Sequence, residues 1–152
     1  PACYSLGTTG VPHPECLSPQ AETCKECPKN KWGTAAPRPG STAPGRGKAC
    51  KEAARVICTP ASLALKSAPL YQAKLPVTSI AAADAFVNRA NQVGKLYGEF
   101  VTTMSVTEDT KSFFKVHLTI KEHTPDLDIG LLLNRQEEAI ELAMQPYPVF
   151  EE

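Results

Sequence analysis

The feature that most constrains this chain is a pair of cysteines two residues apart, Cys24-Lys25-Glu26-Cys27, answered by a third in Gly45-Arg46-Gly47-Lys48-Ala49-Cys50. All three lie in residues 1–50, which are rich in Pro, Gly, Ser and Thr and hold few large aliphatic side chains. A segment of that composition buries too little apolar surface to order itself, so a cross-link or a metal has to replace the missing core. A Cys-x-x-Cys turn brings two sulfurs within reach of one ion, and Zn²⁺ accepts four such donors tetrahedrally at about 2.3 Å each. Cys24, Cys27 and Cys50 supply three donors, and Cys3, Cys16 or His13 is chemically able to supply the fourth. Four protein ligands leave no open position, so the expected zinc is structural. A redox reading of Cys-x-x-Cys calls for a strand before the motif and a helix opening on it. Pro28 and the loop that follows argue against that context.

The charge pattern adds a second constraint. Sixteen Lys and Arg balance sixteen Asp and Glu, so the net charge of zero names no partner. The distribution says more: residues 25–55 carry eight basic and two acidic side chains, whereas 126–152 carry seven acidic side chains and one Arg. Such asymmetry points to a polyanion-binding part with an acidic tail. Trp32 lies among Lys29, Lys31, Arg46 and Lys48. An aromatic ring flanked by cations can stack an unpaired base and hold its phosphate together. The plainer alternative is that Trp32 covers the knuckle as a miniature core.

With 152 residues the chain is one domain, or one domain with an appended module. We expect a zinc-stabilised loop module over 1–50, a sheet with a helix over 51–125, and a C-terminal helix with an acidic tail over 126–152. Val56-Ile57 favour a strand ending near Cys58, whose thiol we expect to pack as a small hydrophobe. Residues 70–75 form a second strand, stopped by Pro76. Thr78 or Ser79 caps a helix over 78–93 that presents Ile80, Ala83, Phe86, Val87, Ala90 and Val93 on one face and ends at Gly94. Two long alternating segments follow, joined at Glu108-Asp109-Thr110. In the second, Phe114, Val116, Leu118 and Ile120 face inward, while Phe113, Lys115, His117 and Lys121 face outward as a second candidate surface for single strands. A last helix over 126–144 turns Ile129, Leu132, Leu133, Ile140 and Leu142 inward and Glu137, Glu138 and Glu141 outward. The fold class is α+β. Strand, helix, strand, strand is the order of the second half of an OB-like β-barrel, and a small α+β sandwich fits nearly as well.

No nucleophile elbow, Walker loop or His-Glu-x-x-His pair is present, so a non-enzymatic role is expected. No apolar run approaches the roughly 18 residues of a membrane span. The alternative from a different class is a structural protein, a virion component or secreted protein-interaction module whose six cysteines pair as disulfides.

Three segments carry a family resemblance: Pro1-Ala2-Cys3-Tyr4-Ser5, then Cys24-Lys25-Glu26-Cys27-Pro28-Lys29-Asn30-Lys31-Trp32-Gly33, then Gly45-Arg46-Gly47-Lys48-Ala49-Cys50. Together they resemble a group of tailed-phage proteins, the zinc-containing, OB-fold, helix-destabilising single-stranded DNA-binding proteins. Their pattern is a P-x-C-[FY]-S segment, a C-x-x-C-P-x-N-x-W-G knuckle and a G-K-G-K-A-C segment. Leu75-Pro76-Val77-Thr78-Ser79 also resembles the strand-to-helix junction of that group. The resemblance implies Cys3, Cys24, Cys27 and Cys50 as zinc ligands and leaves Cys16 and Cys58 outside. It further implies binding of single-stranded DNA during phage DNA replication or recombination, in the cytoplasm of an infected bacterium. The acidic C-terminus would then compete for the basic groove and recruit replication proteins. Arg46 replaces a Lys of the pattern and keeps its charge, and the strand-rich segment that precedes P-x-C in the group is missing here.

Overall fold

The structure, a computed structural model, describes residues 3–37, 39–110, 113–124 and 126–147, with Phe113 described by its backbone alone. The chain divides into two compact units, residues 1–51 with 144–152, and residues 52–143.

The second unit holds the regular structure. Strand β1 (Ala53–Cys58) pairs antiparallel with β2 (Tyr71–Pro76), with Val56 opposite Ala73 and Ala54 opposite Leu75. Leu75 is only 2% exposed and anchors this ribbon. Cys58, the last residue of the strand, is exposed there and not packed as the apolar run suggested.

Helix α1 (Val77–Gln92) begins directly after Pro76, whose extended backbone serves as the N-cap without any side-chain cap. The expected capping role of Thr78 or Ser79 is therefore not used. Ser79 lies inside the helix, almost fully buried, and its hydroxyl accepts the Val116 N–H at 2.9 Å. Gly94, at φ +68°, terminates the helix, with the Lys95 N–H returning to the Ala90 carbonyl. Ala90 is buried and Ile80, Ala83, Phe86 and Val87 half-buried, as the period requires, whereas Val93 is exposed at the frayed end.

Strands β3 (Phe100–Asp109) and β4 (Phe113–His123) form a long antiparallel hairpin. Pairing continues to Asp109 opposite Phe113, so Glu108 and Asp109 extend the strand instead of turning it. Val116 is buried, and Leu118 and Ile120 are half-buried on the inner face. Toward the tip, Met104, Val106 and Phe114 stand exposed.

The fold is α+β, as expected, but among the described residues the four strands make two open two-stranded sheets and no closed barrel. Closure needs each strand bonded on both sides. Here each has one partner, and the outer edge of β4 is met by a helix hydroxyl, that of Ser79.

Helix α2 (Ile129–Met144) is capped by Asp128, whose carboxylate accepts the Leu131 N–H at 3.0 Å. Leu132 is its buried anchor and fits beside Gly98, where a Cβ would lie 2.8 Å from the Leu132 side chain. Arg55 donates to the Ala143 carbonyl at 2.6 Å, satisfying one of the open acceptors of the last turn. The inward set expected from the sequence is split: Leu132 is buried and Leu142 half-buried, but Ile129, Leu133 and Ile140 are exposed.

Among the described residues of the first unit, only Leu6 and Cys27 are buried hydrophobics. Its order comes from loops bonded to loops, with Tyr4 stacked on His13 at 5.2 Å and met edge-on by Tyr147 at 4.9 Å.

Candidate metal knuckle and nucleic-acid interface

Cys27 opens a single 3-10 turn over Pro28–Asn30, with Pro28 supplying a preset φ at the first position. The Asn30 N–H returns to the Cys27 carbonyl at 3.0 Å, and the Asn30 side-chain amide donates to the Cys24 carbonyl at 2.7 Å. From the other segment, the Cys50 N–H donates to the Lys29 carbonyl at 2.8 Å. The backbones of Cys24, Cys27 and Cys50 are thereby fastened around Lys29 and Asn30. The three candidate fourth ligands, Cys3, Cys16 and His13, gather around Tyr4. Its N–H lies 3.2 Å from the Cys16 sulfur, its carbonyl accepts the His13 N–H at 2.8 Å, and Cys3 is its neighbour in sequence.

Donor type suits Zn²⁺; among the described residues no group of three His, Cys, Asp or Glu side chains that could hold a metal ion is found. Cys3, Cys16, Cys24, Cys27 and Cys58 are free thiols.

Backbone hydrogen bonds also join the two basic segments. Gly33, at φ +86°, turns the chain so that its N–H points to the Arg46 and Gly47 carbonyls at 3.3 and 3.1 Å. The Ala35 N–H then reaches the Gly47 carbonyl at 2.9 Å. Thr34 clasps the pair: its hydroxyl accepts the Ala49 N–H at 3.0 Å and points its own proton toward the Lys31 carbonyl at 2.7 Å. Gly45 permits the approach, since a Cβ there would stand 2.5 Å from the carbonyl oxygens of both Ala35 and Ala36. Thr34 does not stand out in the sequence from its Pro/Gly/Ser/Thr surroundings, and Gly45 stands out only as the first residue of the segment ending at Cys50. A short polar residue and a glycine between two cysteines were the only signal.

This clasp sets five of the expected nucleic-acid residues on one small loop pair. Trp32 is 78% exposed, so it does not cover the knuckle as a miniature core. Lys48 Nζ stands 5.8 Å from the indole centroid, a cation–π distance. Lys29, Lys31 and Arg46 are exposed beside it.

The second candidate surface lies on the outer face of the β3–β4 hairpin. Lys115 is ion-paired with Asp109 at 3.0 Å, and the His117 ring bonds the Thr107 hydroxyl at 2.9 Å across the strands. Lys121 is exposed. The Phe113 side chain lies outside the described residues. At the base of the hairpin, buried Glu99 receives the Leu96 N–H at 2.8 Å and meets Lys95 and His123 at 3.1 and 3.2 Å. The Leu96 N–H holds its carboxyl below the usual value; burial opposes this, and His123 and Lys95 add to it.

No protein-family model, curated protein or solved structure matches this chain.

Proposed function

We propose that this protein binds single-stranded DNA without catalysing a reaction on it, using the clasped loop pair of 28–35 and 45–50 as its contact surface. The observation that carries this reading is Trp32, an indole left 78% in water with a lysine ammonium over one face. A large aromatic in that state is costly to leave unpartnered. One face of the ring stays open to stack an unpaired base, while Lys29, Lys31 and Arg46 stand ready for the adjoining phosphates. Duplex DNA offers no such base without unstacking.

Zinc belongs to the proposal as a structural ion held by Cys3, Cys24, Cys27 and Cys50. What supports it is the backbone clamp on three of those residues, and loading would have to draw the thiols together. The sequence resemblance to phage single-stranded DNA-binding proteins points the same way, toward replication or recombination in an infected bacterial cell. An OB-type barrel is the finer fold reading; it rests on the order β2, α1, β3, β4 and would need further strands to close.

The test is titration of the single tryptophan's fluorescence with oligothymidylate. Binding quenches Trp32 at low salt and duplex of the same length does so far less. An unchanged emission, with zinc loaded, would remove the nucleic-acid reading and leave a protein-binding knuckle.

A further inference from the structure

Helix α2 carries an apolar stripe that its own fold covers only in part. At 100° per residue Ile129, Leu133 and Ile140 fall within about 40° of one another, along roughly 16 Å of helix. They are 42%, 46% and 54% exposed. Leu132, the buried anchor, and the half-buried Gln136 and Ala143 lie on the adjoining side, so the stripe borders the buried face and continues it into solvent. Ile129 also forms one wall of an open cleft of about 450 Å³ shared with Leu96.

One flank of the stripe is acidic. Glu137 and Glu141 are both exposed there, and neither makes an ion pair among the described residues. Glu138, further round, is matched by Arg135. The side chains along this part of the surface therefore present aliphatic carbon beside uncompensated negative charge.

We infer that this face of α2 docks a protein partner through an amphipathic helix with aliphatic anchors on one side and Lys or Arg along the flank meeting Glu137 and Glu141. The aliphatic contact supplies affinity, and the one-sided charge sets the polarity of the bound helix. This surface makes no use of nucleic acid, so it stands or falls apart from the tryptophan site.

The experiment uses the full chain and two labelled synthetic helices, one with Leu on one face and Lys beside it, the other with Glu in place of Lys. Fluorescence anisotropy should register binding of the Lys helix alone. Leu133→Ser with Ile140→Ser, both on the exposed stripe, should weaken it by about tenfold or more. Glu137→Lys with Glu141→Lys should transfer preference to the Glu helix, and circular dichroism checks that each variant keeps its helix content. Equal binding of both helices, or binding indifferent to these substitutions, would overturn the inference. So would a dimer in sedimentation that the Ser pair dissolves, since a second copy would then occupy the stripe.

Discussion

The functional reading turns on Trp32 and on the glycine that holds its neighbours in place. Trp32→Ala should lower affinity for single strands by about 1–3 kcal/mol, the usual contribution of one stacked base, with little change in stability because the ring is already in water. Gly45→Ala tests the clasp. Its Cβ would press on the Ala35 and Ala36 carbonyls, forcing residues 45–50 away from 33–36 and dispersing the cations. Oligonucleotide binding should fall in that variant although no charge or aromatic is removed. Glu99 gives a prediction in pH. Its folded carboxyl is held below its ordinary value, so its contribution to stability is full above the ordinary glutamate range and is lost as pH falls through the folded value. Urea midpoints should show Glu99→Gln less stable than the parent near neutrality, with the gap closing in acid. A gap that stays constant with pH would rule out that role for the carboxylate.

At the scale of elements, the most informative contact is a helix serine bonded to a strand amide. Ser79→Ala would leave the Val116 N–H without its acceptor in a buried place, at a cost of about 1–3 kcal/mol in chemical denaturation. Periodicity made most of the elements legible beforehand. Alternation over 116–120 gave the inner face of β4, though Phe114, expected on that face, is exposed, and Pro76 and Gly94 bracketed α1 closely. What periodicity could not resolve was which of two apolar sets on α2 meets the core. Leu132 and Leu133 are adjacent in sequence but about 100° apart on the helix, and only the packing at Gly98 decides between them. Thr78 or Ser79 is the expected cap because a hydroxyl residue near a helix start usually is one. The chain instead begins α1 at Val77, and the Ser79 hydroxyl serves a long-range contact that no local pattern encodes.

For the molecule as a whole, the sequence located the candidate site by composition: cysteines, cations and a tryptophan in a stretch too poor in aliphatics to pack. It could not say whether Trp32 faced inward or outward, since that depends on where residues 45–50 cross. Nor did it separate four strands in two ribbons from four strands of a barrel, because edge-to-edge closure depends on contacts distant in sequence. No helix among the described residues is long and apolar enough to cross a membrane.

The central claim is that a clasped set of cations and one open indole meets a single strand, and salt tests it most directly. Affinity of the full chain for oligothymidylate, measured from about 50 to 200 mM salt, should fall along a straight line in log–log form. Each phosphate neutralised contributes about −0.7 to the slope, so the four cations of the clasp predict roughly −3, reduced by about 0.7 in Arg46→Gln. An affinity that does not change with salt, or a slope that Arg46→Gln leaves untouched, would contradict the account.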